Sequence, residues 1–340
     1  MTYLLWVPVL LAAVWAAHWG AEHLAAPLKK LRQKWGISVA AGGALIGVAA
    51  ASPEVGIATT AALRGASDIG LGSSIGSNVI AIPIMVVTAY LATRKRRLGD
   101  DGDDADSPHE DHDEHLDEHL DEHLLAVDRQ AVTVQALPYL GLVALFAALT
   151  LPAPWRGLQP IDAAFLGAGY LAYAAQALLR GRGEGDDVEW SKKEVGLAVG
   201  GVAALVAGAF FTVLATENIV SGLGIERVVG GLFITAPMAA LPEVFATWSV
   251  ARAGQVTPAV TSVVGDHAVT LTLSFVPLAL VGLPLGDLRL FAVNLAGVAL
   301  VAALYAGFIW WGGAGFRRWQ VAALAAVAPL WAAVVYFWAL

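Results

Sequence analysis

Long apolar stretches alternate with short polar segments along the whole 340-residue chain. About ten of these stretches have roughly 20 residues, which lets a helix cross the hydrocarbon core of a bilayer, about 30 Å thick. The predicted spans are residues 2–25, 36–63, 68–92, 131–151, 159–179, 195–216, 227–251, 257–281, 287–312 and 319–339. The pattern therefore predicts an all-α membrane protein, with the lipid bilayer as the partner of its helices.

The composition narrows the function classes. Hydrophobic residues make up 58% of the chain and charged residues 14%, whereas a soluble domain has roughly 50% and 25%. No phosphate-binding loop and no H-E-x-x-H motif is found. We therefore expect no ATP-driven pump, no enzyme, no nucleic-acid partner and no cofactor. The chain has no cysteine, which excludes disulfides and thiolate metal sites.

Basic residues orient the predicted helices. Sixteen Lys and Arg lie in or beside alternate loops, and the other loops hold only Arg64, Arg156, Arg227 and Arg289. Because basic loops remain in the cytoplasm, we expect both termini outside the cell and the acidic insert 99–128 inside. We interpret the first stretch as a spanning helix rather than a cleaved signal, since no basic segment precedes it. The expected location is the plasma membrane of a prokaryote.

The chain divides into two related halves. Residues 1–180 and 195–340 each contain five predicted spans, and a polar linker, 181–194, joins them. Five is odd, so homologous halves would lie in the membrane with opposite orientations. A shift of 189 residues gives seven identities in about 30 positions. They include two Pro-Glu pairs, Pro53-Glu54 and Pro242-Glu243, each deep inside an apolar run.

The Pro-Glu pairs indicate a cation site. An ionised carboxylate inside the bilayer needs a cation, a proton or water as compensation. The proline before it removes a backbone donor and is expected to break the helix, which frees carbonyl oxygens beside the carboxylate. Carboxylate and carbonyl oxygens are the ligands of hard cations. Broken helices at matching positions of inverted halves are typical of alternating-access transporters.

These segments resemble the two alpha repeats of the calcium/cation antiporter superfamily, which includes the sodium/calcium exchangers. The repeats would cover residues 42–82 and 231–271. The family pattern, approximately G-T-S-x-P-E followed by G-S-N-x-x-N or G-S-D-x-x-D, is represented by Ala-Ala-Ser-Pro-Glu and Gly76-Ser77-Asn78, then by Ala-Ala-Leu-Pro-Glu and Gly265-Asp266-His267. The resemblance implies ten helices in two inverted five-helix repeats and exchange of cations across the membrane.

The chain departs from that pattern where the family binds sodium. The Thr-Ser before each Pro-Glu is replaced by Ala50-Ala51 and Ala239-Ala240, so four hydroxyl groups are lost. The last polar residue of each repeat falls on Ala81 and Thr270, and Asp266 stands where a serine is usual. Asp266 and Thr270 share a helix face because they are four residues apart.

The expected metal ligands for the transported ion are Glu54, Glu243 and Asp266, assisted by Ser77, Thr270 and Asn78 and by backbone carbonyls at Gly47, Ala50, Thr235 and Ala239. Ser77 and Asn78 equally suit helix packing. His267 equally suits proton transfer or packing. In the insert, His115, His119 and His123 recur every four residues and could chelate a metal in pairs, but a solvated acidic linker explains the segment as well.

The sequence thus predicts a secondary antiporter that exchanges a divalent cation, Ca2+ in the first place, for H+ or Na+. The alternative is a monovalent Na+/H+ antiporter. Desolvation and mutual repulsion favour protonated carboxyl groups, and with the sodium-binding hydroxyls missing, we expect coupling to protons.

Overall fold

The computed structural model describes residues 2–37, 47–97, 125–127, 135–180, 185, 187–189, 191–254, 256–312 and 315–339. Within these residues the chain is almost entirely helical. The helices are α1 (Trp6–Lys34), α2 (Ser52–Leu63), α3 (Ser67–Arg97), α4 (Leu137–Thr150), α5 (Asp162–Arg180), α6 (Lys192–Leu223), α7 (Arg227–Gly230), α8 (Ala236–Arg252), α9 (Val256–Thr272), α10 (Phe275–Leu280), α11 (Leu288–Gly312) and α12 (Arg318–Val334). The strands are β1 (Leu125–Ala126), β2 (Gly157–Leu158), β3 (Leu283–Pro284) and β4 (Gly315–Phe316). A 3-10 turn, Thr2–Leu5, precedes α1, and π-helical turns lie at Gly231–Thr235 and Val335–Ala339.

Seven helical segments of the described residues are long and apolar enough to cross a membrane. They are Tyr3–Lys34, Ser67–Thr93, Lys192–Leu223, Arg227–Arg252, Ala259–Leu280, Leu288–Trp311 and Arg318–Ala339, and a shorter apolar helix is Leu137–Thr150. The predicted all-α membrane architecture is confirmed at this level. The division into ten spans and two inverted halves stays a prediction.

Burial separates the central helices from the outer ones. In the most apolar 18-residue window of α3, 78% of the residues are buried, whereas the value for α1 and for α6 is 33%. Large apolar side chains on the outside, such as Trp15, Leu179, Trp311 and Phe337, are more than half exposed. A bilayer is the solvent that suits such a surface. The central helices can therefore carry polar groups away from lipid.

Helices α1 and α6 pack against each other over their whole length, in opposite directions. Gly222 lies against Tyr3 at one end, Gly201 against Gly20 in the middle, and Lys30 pairs with Glu194 at the other end. The glycines allow the close approach, because a β-carbon on Gly20 would fall 2.3 Å from the carbonyl oxygen of Gly201. Small residues at such contacts are usual between membrane helices.

Two short antiparallel ladders connect the halves of the chain. Leu125 of β1 pairs with Phe316 of β4, and Leu158 of β2 pairs with Leu283 of β3. All four side chains are buried. The ladders fix the loops between helices and leave the interior of the bundle to α2, α3, α8 and α9.

Candidate functional site

Pro53 lies at an interrupted helix, as the sequence predicts. A helical turn at 47–50 ends at Ala51, and α2 begins anew at Ser52. Proline lacks the amide that would bond to the carbonyl of Ala49, and the Ser52 hydroxyl donates to that carbonyl instead, at 2.7 Å. Glu54 therefore lies in the first turn of α2, where the helix dipole favours a negative charge.

Pro242 behaves differently. Helix α8 continues through it without a break, so the expected interruption at this proline is wrong. The irregularity lies about two to three turns earlier, in the π-helical turn Gly231–Thr235 that leads directly into α8. Membrane helices tolerate an internal proline where the surrounding protein compensates for the missing hydrogen bond. Pro242 still deprives the carbonyl of Met238 of its helical donor, and Leu241 offers no hydroxyl in exchange.

Glu54 and Glu243, 189 residues apart in the chain, line the same narrow space between α1, α2 and α8. Its volume is about 10 Å³, which is close to the minimum for one water molecule. The Glu54 side chain is 3% exposed, and its Oε2 has no hydrogen bond among the described residues. The remaining walls are mostly apolar and include two of the alanines that replace family hydroxyls, Ala50 and Ala239.

Asp266 joins Glu243 on a second, larger cavity of about 330 Å³. Both carboxyl groups therefore belong to the wall of one space. Asp266 is 3% exposed, and its Oδ1 has no hydrogen bond within the described residues. The cavity extends along α1 to the exposed side chains of Glu22 and Lys29. It therefore connects the buried carboxyl groups with the surface at the Lys29 end of the molecule.

The other end of the molecule has a separate cavity of about 520 Å³ between α3, α7 and the start of α11. Asp68, Glu226 and Asp287 stand at its exposed rim, and Asn294 lies buried in its wall. Neither Glu54, Glu243 nor Asp266 lines it. In this conformation the buried carboxyl groups share a cavity with the Lys29 end only.

The small polar residues predicted as ligands are buried but engaged elsewhere. Asn78 donates to the carbonyl of Ser74 and accepts from the Tyr139 hydroxyl, both at 2.7 Å. Ser77 donates to the carbonyl of Ser74 at 3.4 Å, and Thr270 donates to that of Asp266 at 3.0 Å. None of these predicted ligands lines either of the two cavities that hold the carboxyl groups. Their role as ligands stays a prediction.

One of the backbone candidates, the carbonyl of Gly47, is partly occupied. The carbonyl of Gly47 accepts from the amide of Ala51 at 2.8 Å, although a carbonyl oxygen has a second lone pair to offer. Thr235 lies in the π-helical turn, and its hydroxyl shares a 2.9 Å hydrogen bond with that of Thr216. The carbonyls of Ala50 and Ala239 belong to residues that line the narrow space.

His267 is completely buried beside Asp266, with Nδ1 3.6 Å from the Asp266 Oδ2. Neither ring nitrogen has a hydrogen bond among the described residues. The ring meets Tyr139 edge-on at a centroid distance of 6.0 Å. His115, His119 and His123, together with the rest of the insert up to residue 124, lie outside the described residues.

Sequence reasoning missed His18, which lines both cavities that contain Glu243. Its position on the first apolar stretch gave no signal, since only the packing of α1 against α2 and α8 brings it to the carboxylates. Within the described residues, no three His, Asp and Glu side chains converge closely enough to hold a metal ion. The groups line two neighbouring cavities, which share His18 and Glu243, rather than one preformed metal site.

Comparisons with known proteins agree with this architecture. The model of the sodium/calcium exchanger protein family matches residues 5–179, just over half of the chain. The sodium-calcium exchanger NCX_Mj, soaked with 2.5 mM Na+ and 10 mM Sr2+, has a similar fold at 19% identity, with a TM-score of 0.65 and coverage of 97% of this chain and 99% of that one. NCX_Mj soaked with zero Na+ and Ca2+ gives 19% identity, a TM-score of 0.63 and coverage of 98% and 99%.

A search of curated protein sequences finds no match to the chain. The family model and the shared fold confirm the predicted resemblance to the calcium/cation antiporters. The chain belongs to the sodium/calcium exchanger protein family, whose members are membrane transporters of cations.

Proposed function

We propose that this protein exchanges a divalent cation, Ca2+ in the first place, for H+ or Na+ by alternating access, with Glu54, Glu243 and Asp266 as the central ligands. The observation that carries the proposal is that Glu54 and Glu243, equivalent under the 189-residue shift, line one narrow space. That space has the size of a single water molecule, and a dehydrated cation is of similar size.

Two features support inverted halves around this site. Helices α1 and α6, the first helices of residues 1–180 and 195–340, pack in opposite directions. Repeats with opposite membrane orientations need this relation. In addition, the basic last turns of α1 lie beside the basic first turn of α6, where Lys30 pairs with Glu194. Arg64 and Arg227 both lie near Glu217 at the opposite end. The first end would be cytoplasmic.

In this orientation the 330 Å³ cavity opens to the cytoplasm and both termini lie outside. A cation would enter along α1, meet Glu243 and Asp266, and reach Glu54 last. Carboxylates would replace its hydration oxygens. After release to the outside, protons or sodium ions would neutralise the same carboxylates for the return step.

The test is flux in proteoliposomes with Ca2+, Na+ and pH gradients imposed one at a time. We expect Ca2+ movement that responds to at least one of the other two gradients. The alternative, a monovalent Na+/H+ antiporter, predicts Na+ movement driven by pH and indifferent to Ca2+. Glu243 and Asp266 line one cavity, and this arrangement favours a divalent cation, because two negative charges around one space suit a double positive charge.

A further inference from the structure

A histidine stands beside the candidate carboxylates. His18 on α1 lines the narrow space with Glu54 and Glu243 and also the larger cavity with Glu243 and Asp266. Its side chain is 25% exposed, and its Nε2 lies 3.2 Å from the Oε1 of Glu22, one helical turn further on. The imidazole is thus the nitrogen ligand that both spaces share.

The narrow space beside His18 has few oxygen ligands. Ala50 and Ala239 line the narrow space where the family pattern has threonine. Ca2+ takes six to eight oxygen ligands and has little affinity for nitrogen. Imidazole together with carboxylate instead suits divalent transition metals, whose affinity for such ligands rises from Mn2+ to Co2+ and beyond. Because the narrow space has an imidazole nitrogen and lacks the hydroxyl oxygens, it favours divalent transition metals over Ca2+.

We infer that His18 and Glu22 form a capture site for a divalent transition metal, and that this class of ion is a substrate of the exchanger in preference to Ca2+. The inference rests on the proposed function, exchange of a divalent cation, and replaces Ca2+ by this class of ion as the preferred cation. A His and a Glu four residues apart on one helix present their side chains on one face, so they can chelate a metal as a pair.

The route follows from the lining of the cavity. The metal meets the exposed Glu22 first and is held between Glu22 and His18. It then passes to Glu243 and Asp266 across the 330 Å³ cavity, with His18 as the ligand common to both positions. Transfer between successive pairs needs no preformed group of three ligands. Two oxygens remain available to bind the ion. They are the Oδ1 of Asp266 and the Oε2 of Glu54, both buried without a hydrogen bond in the described residues.

The experiment measures uptake of Mn2+, Co2+ and Ca2+, each offered alone, by proteoliposomes of the full chain. We expect half-saturation for Mn2+ and Co2+ at concentrations at least tenfold below that for Ca2+. His18→Ala should raise the half-saturation concentrations of Mn2+ and Co2+ about tenfold or more and leave that of Ca2+ within about twofold. Glu22→Gln should show the same selectivity with a smaller effect, because Glu22 contacts the ion only on entry.

His23→Ala is the matched control. His23 lies on the same helix and is half-buried, but it bonds to the carbonyl of Trp19 and lines neither cavity. His18→Gln keeps size and polarity, and it separates loss of the ligand from loss of packing if His18→Ala inserts poorly. The acidic, His-rich insert is present in every variant, so it cannot account for a difference among them.

Three results would contradict the inference or the proposed function. Transport of Ca2+ without Mn2+ or Co2+ would overturn the inference and leave the proposed function intact. An equal loss for all three ions in both His18 variants would assign His18 to packing and also overturn it. If no divalent cation moves, the proposed function itself fails.

Discussion

Gly47 lies so close to Gly265 that a β-carbon on Gly47 would stand 2.6 Å from the carbonyl carbon of Gly265. The shift of 189 residues turns this contact into Ala236 against Gly76, and a β-carbon on Gly76 would stand 2.8 Å from that of Ala236. The same close contact therefore occurs twice, with the halves exchanging roles. The pseudo-two-fold relation that the sequence predicts between the halves would produce such a pair.

The first prediction concerns this contact. Gly47→Ala should reduce exchange at least tenfold, because the added methyl group pushes Asp266, whose amide nitrogen would lie 3.0 Å away, out of its place beside Glu243. Overpacking of this kind costs typically 1–3 kcal/mol. Gly141→Ala is the control, since a β-carbon there meets nothing within 4 Å. Flux and thermal unfolding in detergent are the measurements, and wild-type flux in Gly47→Ala would show that the contact does not position the site.

Sequence and structure agree on the helical membrane architecture that the apolar pattern predicts. Glu54 and Glu243 line one space, and their role as cation ligands stays a prediction. The continuous helix through Pro242 could not be predicted, because neighbouring helices decide whether a proline interrupts a membrane helix. The position of His18 beside the glutamates could not be predicted either, since it depends on how α1 packs and not on any local motif.

The second prediction concerns the carboxylates. Glu54→Gln and Glu243→Gln should each lower cation exchange to background while the protein still inserts, because the amide keeps the shape and removes the charge that offsets dehydration of the cation. Glu189→Gln, which changes an exposed glutamate outside the helices, should exchange normally. Flux is normalised to protein recovered in the liposomes. Normal exchange in either core variant would remove that glutamate from the site.

The third prediction separates the acidic insert from the transport core. Deletion of residues 100–123 should leave exchange within about twofold of wild type. Extending the deletion to residue 127 removes Leu125, which is 1% exposed and pairs with Phe316. The longer deletion should therefore lower the melting temperature by several degrees. Loss of flux in the shorter deletion would instead give the insert a role in transport.

The fourth prediction concerns an ion-pair cluster between α2 and α6. Arg64 donates twice to the Oε2 of Glu217, at 2.9 and 2.7 Å, and Arg227 lies 3.9 Å from the other oxygen. If α1 and α6 move as a pair during alternating access, Glu217→Gln should favour opening at this end. A partly exposed pair contributes up to about 1 kcal/mol, or roughly a fivefold shift in population.

The chain has no cysteine, so a single introduced thiol reports this opening without background. Ile75 is 2% exposed in the wall of the 520 Å³ cavity. We expect Ile75→Cys to react with a water-soluble maleimide several times faster when combined with Glu217→Gln. The control is Glu226→Gln, an exposed neighbour with no described ion pair to Arg64. Equal labelling rates would mean that the cluster does not hold this end closed.

The last prediction concerns the coupling ion. Of the four alanines that replace the family's hydroxyl residues, Ala50 and Ala239 line the space between the glutamates, whereas Ala51 and Ala240 do not. Sodium needs several hard oxygen ligands, and here the side chains supply only carboxylates. Carboxyl groups that are close together and shielded from water accept protons readily. We therefore expect the wild-type protein to be driven by a pH gradient and to respond weakly to sodium.

Restoring the hydroxyls should change this preference. Ala50→Thr combined with Ala239→Thr adds two oxygens to the narrow space and should increase sodium-driven flux at fixed pH at least fivefold over wild type. Ala51→Ser combined with Ala240→Ser adds two hydroxyls at positions that do not line the space, so it should leave the preference unchanged. The measurement is divalent cation flux with a sodium gradient at fixed pH, then with a pH gradient and no sodium gradient. Wild-type flux that follows sodium and ignores pH would overturn proton coupling, because backbone carbonyls and carboxylates would then suffice for the sodium site.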